Sequence, residues 1–453
     1  MLPKLIRSRK FKGVVIVCLP ILILSILYLQ TRKDSINFAL TPFVNTSVTI
    51  SDSPLVNNHV VNGLCKGKLF RETSTKDVSW QPIDKQKTMY VVSAYYVQTA
   101  RKVFIIGAKP MFNVAVICQL WSKEENEGDT KMWETLAKVG TPNDPAGPLP
   151  YTATTFECQL NVTEFPTHVS LVTQSCQNAY NILPVNNASE IPTYERRFTV
   201  CLAPVYSYRH AQEFVEWVEL NRILGVEKFV IYNYSIAADV DQIIRYYSKR
   251  GIADVIQWRL PFPVTHHIHY FGQTAALNDC LFRNKQTSEF ITNIDLDEYI
   301  IPQSSTVSNW TQIISQLDQL ADGYIFRNTF FRKEWTNENI EFKEKVKAKK
   351  FGLITLKHFE HEKKIYNAFD RSKYFARPSR VHYTLIHEIP KARVIKVPTD
   401  IGLLYHYRNW ENYADKQERI KDTVILEKFG QNLIKNVETV WQDLEKMHLS
   451  LGL

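Results

Sequence analysis

The stretch EFITNIDLDEYIIP, residues 289–302, decides how the rest of the chain reads. Its apolar run from Phe290 to Ile294 has strand character. The run stops at Asp295-Leu296-Asp297-Glu298, and apolar residues resume at Tyr299, Ile300 and Ile301. Carboxylates held between two hydrophobic runs are costly to bury unless something positive is bound beside them. At the carboxyl end of a strand, such oxygen ligands suit a hard divalent ion, Mn²⁺ or Mg²⁺, which in turn clamps a diphosphate. Acid-x-acid triplets are common in solvated turns. The apolar flanks are what favour a functional site here.

Working outward, the C-terminal half alternates between strand and helix patterns from Arg196. RFTVCLAPV reads as a strand, and residues 211–224 as a helix with Phe214, Trp217, Val218 and Leu224 on one stripe. EKFVIYN, then a helix closed by Gly251, then ADVIQWRL, then a helix over 272–284 lead to the acidic strand. This alternation predicts an α/β, Rossmann-type mixed sheet with helices on both faces. Ligands of such sheets bind beyond the carboxyl ends of the strands. The loop from Pro204 to Tyr208 and the aspartates Asp295 and Asp297 share that edge. No Gly-x-Gly-x-x-Gly and no P-loop occurs, which disfavours dehydrogenases and P-loop kinases. Residues 409–447 read as amphipathic helices closing the fold.

Upstream, MYVVSAYYV, KVFIIGA and FNVAVICQL are successive β-branched and aromatic runs. They predict a small β-rich domain over 85–190, of sandwich type. Residues 30–84 have the Ser, Thr, Asn and Pro content of a stem. Gly13 to Leu29 carries no charge and follows five basic residues without an acid. At the helical rise it spans about 26 Å, enough for a thin bilayer. The charge bias places residues 1–12 in the cytosol and the remainder in a lumen, a single-pass type II arrangement. Five N-x-Ser/Thr sequons, at Asn45, Asn161, Asn187, Asn233 and Asn309, fit a lumenal chain.

The net charge of +9 over 453 residues fits an acidic substrate such as a nucleotide, or an anionic membrane face. Local clusters include Lys343-Glu344-Lys345-Val346-Lys347 and Lys349-Lys350. No zinc-finger spacing and no basic stretch interleaved with aromatics points to nucleic acid. Six of the seven cysteines follow the apolar N-terminal run, an even count suited to an oxidising lumen. Cys201 and Cys280 sit in apolar contexts that read as buried free thiols. His358, His361 and His382 read as surface histidines rather than zinc ligands. His387 and His406 each end an apolar run, so one of them is expected to complete the ion's coordination. Lys373, Arg377 and Arg408 are candidates to neutralise phosphates.

The chain resembles glycosyltransferase family 92 over roughly 196–410. The resemblance rests on Glu216-Trp217 with Leu224-Gly225, FVIYN, QTAALNDCLFR, NIDLDEYIIP, the Lys373 to His387 block with Arg377-Pro378, and His406-Tyr407-Arg408. It implies a GT-A fold over 196–453 and inverting transfer of galactose from UDP-galactose to a glycan, such as fucose on N-glycan cores. It implies that Asp295 and Asp297, with His387 or His406, bind Mn²⁺ or Mg²⁺. It places Tyr206 and Asn233 at the uridine, although family members often carry Asp where this chain has Asn233. It puts Gln273, Asn278 and Asp279 at the nucleotide or behind the acidic triplet. Inversion requires a general base, sought among Glu360, Glu362, Asp370 and Glu388. The same reading expects a Golgi membrane protein, with the lumenal enzyme held by the segment 13–29. Two rivals are a catalytically silent glycan-binding protein of the same fold and a metal-dependent hydrolase.

Overall fold

The computed structural model describes residues 80–123, 130–140, 149–160, 165–188, 193–262, 267–335, 340–409 and 418–447. The expected tail, anchor and nearly all of the stem, with Cys18, Cys65 and the sequons at Asn45 and Asn161, lie outside them. No helix among the described residues is long and apolar enough to cross a membrane. The described residues therefore give no support to the expected single-pass Golgi arrangement, whose anchor at 13–29 lies outside them.

The first described region is all β. Its strands are β1 (Gln81–Pro82), β2 (Tyr90–Val97), β3 (Lys102–Pro110), β4 (Ile117–Lys123), β5 (Thr130–Gly140), β6 (Tyr151–Gln159), β7 (His168–Val172) and β8 (Leu183–Asn187). They follow the order β1-β2-β3-β6-β5-β4-β7-β8, and β8 pairs back onto β2, with Ala94 opposite Val185. The β2-to-β8 strands thus close into a barrel, correcting the expected sandwich. Closure removes the exposed edges that an open sheet would carry. Two local features bring β2 and β3 together. A register shift interrupts their pairing between Val91 and Ser93. Gly107 lets the strands approach, since a Cβ there would lie 2.3 Å from the Tyr90 carbonyl oxygen. Side chains alternate across the wall. Val103 and Ile105 fill the barrel, whereas Phe104 and Ile106 face outward into a second core. A disulfide between Cys118 and Cys158 joins β4 to β6, which are not neighbours in the sheet. With 40 residues between its cysteines, it is worth about 4 kcal/mol in the chain-entropy account.

The second region begins with β9 (Arg196–Val205), α1 (Ala211–Leu224), β10 (Lys228–Asn233), α2 (Ala238–Lys249), β11 (Ala253–Gln257), α3 (Gln273–Arg283) and β12 (Ser288–Thr292). It continues with β13 (Glu298–Pro302), α4 (Trp310–Ser315), β14 (Gly323–Phe326), β15 (Asn328–Arg332), α5 (Lys345–Lys350), β16 (Glu360–Glu362), β17 (Lys373–Ala376), β18 (Val394–Lys396), β19 (Gly402–Arg408), β20 (Arg419–Lys421) and α6 (Val424–Lys446). The main sheet has the order β11-β10-β9-β12-β17-β14-β18. Its first four strands are parallel, and β17 runs antiparallel to both its neighbours. This is the mixed α/β sheet expected from the alternation.

Both faces of the parallel strands are buried, so their sequences are almost continuously apolar. Phe198, Val200 and Leu202 of β9 pack with α1, α2 and α6. Cys201, Val230 and Tyr232 point the other way, into a core shared by α3 and the outer wall of the barrel. There Cys201 is disulfide-bonded to Cys280, so β9 is tied to α3 and the free-thiol reading of both residues is corrected. The smaller sheet runs β13-β19-β15-β16-β20.

Asp279 on α3 is where the barrel, the main sheet and the helix meet. Its carboxylate accepts from Ser93 Oγ at 2.6 Å, Tyr95 OH at 2.5 Å and Tyr232 OH at 2.5 Å, and pairs with Arg283 at 3.2 Å. Burial disfavours its charge, but Arg283 and the three hydroxyls outweigh that and hold its pKa below the usual value. Its stabilising contribution is therefore present above the unfolded pKa of about 3.9 and lost as pH falls through the native value. Asp279→Ala strands three buried hydroxyls and Arg283, and should cost about 3 kcal/mol. Urea midpoints measured from pH 3 to pH 7 check this. The variant should lose most at neutral pH and show a flatter acid limb; a loss under about 1 kcal/mol would refute the role given to Asp279.

Candidate active site

β12 ends at Thr292, and the chain leaves the carboxyl edge of the main sheet through Asn293 to Asp297. It enters the smaller sheet at Glu298, which lies opposite His406 in the antiparallel β13–β19 pair. The backbone between is pinned. Trp217 Nε1 of α1 donates to the Asp295 carbonyl at 2.9 Å, and the Tyr407 amide to the Asp297 carbonyl at 2.8 Å. The Asp295 amide donates to Glu298 Oε2 at 2.9 Å.

The three acids are handled differently. The Glu298 side chain is 2 % exposed and sits between Lys373 Nζ at 3.2 Å and His406 Nδ1 at 3.4 Å. Asp295 and Asp297 keep 41 % and 36 % of their side-chain surface open. Each is engaged through Oδ2, by Lys373 at 3.0 Å and by His406 Nε2 at 3.2 Å respectively. They border a cleft of about 1350 Å³ whose walls include the Pro204–Tyr208 loop, the start of α1 and the segment around α5.

The electrostatics follow from this packing. Burial pushes Glu298 up to about 7, with Lys373 opposing and Asp295 adding to the rise. Burial also disfavours the charges of Lys373 and His406. The neighbouring carboxylates outweigh it, and both pKa values rise. Asp297 is destabilised as an anion by burial, yet the adjacent His406 brings its pKa below the usual value. His387 is the opposite case: burial, reinforced by Lys373, lowers it to about 4. It is therefore a neutral imidazole at physiological pH. Its Nδ1 lies 3.0 Å from the Ser372 carbonyl, which only accepts, so Nδ1 holds the proton and Nε2 has a lone pair.

Two half-open carboxylates and a neutral imidazole are, in kind, the donors a hard or borderline divalent ion takes. Both nitrogens of His406 face carboxylates, so His406 acts as a counter-charge and His387 is the better suited donor. Among the described residues no three such groups are gathered at metal-ligand spacing. Any ion held there would complete its shell with oxygens from a substrate or water.

Of the other residues expected at the site, Tyr206, Gln273 and Arg408 border the cleft, and Lys373 lies behind Asp295. The exposed Tyr206 ring stacks on Phe271 with centroids 4.0 Å apart. The remainder are used elsewhere. Asn233 closes β10, its carbonyl accepting from the Trp258 amide and its buried Oδ1 without a hydrogen-bond partner among the described residues. Asn278 is bonded to both the amide and the carbonyl of Thr384, and Asp279 is the hub described above. Arg377 pairs with Glu289 at 2.8 Å and lies over Phe290.

None of the four acids sought as the base borders the cleft. Glu360 pairs with Arg419, and Glu362 is buried against Arg332 at 2.6 Å. Asp370 is exposed to solvent and Glu388 is half-buried in irregular chain. His358 and His361 are buried rather than superficial, with Nδ1 bonded to the carbonyls of Trp335 and Glu362.

The sequence reading missed Glu213, Glu298 and Lys333, all on the cleft. Glu213 stands in the first turn of α1 and pairs with Lys333 at 3.2 Å. The signal for it was available, since a helix that follows a strand's carboxyl end starts beside the ligand edge.

The sequence profile of glycosyltransferase family 92 matches residues 196–449, more than half of the chain. The beta-1,4-galactosyltransferase galt-1 of Caenorhabditis elegans is 24% identical over 256 residues, which cover 54% of this chain and 55% of that protein. The glycosyltransferase family 92 protein F13G3.3 of the same organism is 25% identical over 225 residues, covering 47% and 42%. The chain spans about half the length of these curated relatives. A solved structure of S. aureus TarS, residues 1–349, aligns with 13% identity over 47% of this chain and 60% of that one, at a TM-score of 0.27, too slight a likeness to inform the site. On the profile match, this chain belongs to glycosyltransferase family 92.

Proposed function

We propose that the cleft transfers galactose from UDP-galactose to a glycan hydroxyl with inversion, on a GT-A-like sheet, with fucose on N-glycan cores among the acceptors. The observation carrying this reading is the pair Asp295 and Asp297, pinned by Trp217 and Tyr407 and half-open to a large cleft at the sheet's carboxyl edge. Asp295 and Asp297 are the residues that would hold Mn²⁺ or Mg²⁺, with His387 as the neutral imidazole on the same cleft; the ion when bound supplies positive charge to the departing diphosphate.

The protein's own groups account for the remaining requirements. The exposed Tyr206 ring offers a stacking surface for uracil. Gln273 opens α3 on the same wall and is placed to donate to the nucleotide. Arg371 and Arg408 bring positive charge to the diphosphate end of the cleft. In the transfer the acceptor oxygen bonds to the anomeric carbon as the bond to the phosphate oxygen breaks. The electron pair leaves on UDP and the hydroxyl proton goes to a carboxylate. Among the described residues Glu213 is the cleft carboxylate outside the Asp295–Glu298 cluster, and it is assigned that proton.

Two variants test the reading. Asp297→Asn should lower UDP-galactose turnover by more than ~100-fold and abolish its dependence on added Mn²⁺. Its urea midpoint should stay near that of the native protein. Native-like turnover in the variant, or native turnover indifferent to EDTA, overturns the metal-dependent reading. Glu213→Gln should lower kcat by about 100-fold or more while leaving UDP affinity unchanged. An unchanged kcat removes Glu213 from the mechanism.

A further inference from the structure

One wall of the cleft carries more positive charge than a sugar nucleotide and a neutral sugar require. It is the segment from residue 340 to 359, which contains α5. This segment is a fixed wall. Glu216 of α1 accepts from the amides of Ile354 and Thr355 at 2.7 Å and 2.8 Å, and from Thr355 Oγ1 at 2.6 Å. Gly352 turns the chain with φ +65° against Gln212, whose Oε1 would lie 2.5 Å from a Cβ there. The wall is therefore docked on the same helix that supplies Glu213 and Trp217.

The ionisable side chains that this wall gives to the cleft are Lys345, Lys349, Lys357 and His358, with no acid among them. The wall's own acids are engaged beside it, Glu341 with Lys345 at 2.8 Å and Glu344 with Lys347 at 3.6 Å. Lys349 and Lys357 are exposed and have no carboxylate partner among the described residues. The acids on the cleft have cations of their own: Lys373 is shared by Asp295 and Glu298, His406 pairs with Asp297, and Lys333 pairs with Glu213. The diphosphate end has its own cations in Arg371 and Arg408. Uncompensated lysines lining a cleft concentrate an anionic ligand from solution. Phe342, half-buried on the same wall and packed against the buried Phe359, leaves an apolar edge suited to a sugar ring face.

We propose that the wall 340–359 is an acceptor subsite for an acidic glycan, one whose sulfate, carboxylate or phosphate group is received by Lys349 and Lys357. The assignment rests on the glycosyltransferase reading above and names the acceptor class for that cleft. It also gives a use to the lysine cluster of α5, which the donor site leaves unemployed.

The test uses the protein with fluorescently labelled lactosamine in neutral, sulfated and sialylated forms, measuring binding and galactose transfer at low and high salt. Both acidic forms should bind at least ~10-fold tighter than the neutral one at low ionic strength, with the difference lost at high salt, where the Debye length is only about 3 Å. The double variant Lys349→Glu, Lys357→Glu should bring the acidic-to-neutral ratio down to about one. Preference for only the sulfated or only the sialylated form supports the subsite and names its anion. Equal binding of all three forms by the native protein, or an acidic preference that survives in the double variant, overturns it. UDP binding is measured in parallel. A native protein that ignores UDP but still prefers acidic glycans refutes the transferase reading and leaves the subsite standing. One that binds UDP without discriminating charge does the reverse.

Discussion

Glu298 is the constraint around which the site is arranged. Its side chain is closed off from solvent between Lys373, which belongs to the main sheet, and His406, which belongs to the smaller one. Desolvating charges costs several kcal/mol each unless the geometry is good, and removing one partner leaves the others uncompensated. The cluster therefore fixes how the two sheets meet. With Glu298 pointing inward, alternation along the chain and the bonds from Trp217 and Tyr407 hold Asp295 and Asp297 at the cleft. The aspartates that face the cleft are positioned by a third acid that is buried behind them.

The second organising contact lies on the far face of the main sheet. Asp279, Ser93, Tyr95, Tyr232 and Arg283 form one buried polar network between the barrel and α3. Around it, Phe104, Ile106, Tyr95 and Phe282 share a common core. The disulfide from Cys201 to Cys280 fastens the same helix to β9. Since Gln273 opens α3 on the cleft side, the barrel's packing bears directly on one wall of the site.

Local patterns in the sequence revealed the parallel strands, the helices between them and the acidic stretch, because burial on both faces leaves unbroken apolar runs. The place of the loop after β9 at the cleft was legible from the rule that ligands meet strands at their carboxyl ends; His387 and His406 stood out because each ends an apolar run, whereas Gln273 rested on the family resemblance. What failed depended on distant partners. Asp279 and Asn278 lie on the helix before the acidic strand, but nothing local tells whether a polar helix face meets a nucleotide or a barrel. Glu362 and Arg377 are buried by partners about 30 and 88 residues away in the chain. Barrel closure hangs on β2 meeting β8, and the disulfide of Cys201 on a helix 79 residues downstream. Apolar surroundings made those cysteines look like free thiols, and the same surroundings are what shield the bond.

The central claim is that Asp295 and Asp297 meet a divalent ion and, through it, a nucleotide diphosphate. The most direct measurement is anomalous diffraction at the manganese edge from crystals of the protein grown with Mn²⁺ and UDP. The account predicts one strong peak touching carboxylate oxygens of Asp295 and Asp297 and oxygens of the UDP diphosphate, with His387 adjoining. UDP bound with no manganese at these aspartates, or manganese bound only elsewhere, would contradict it.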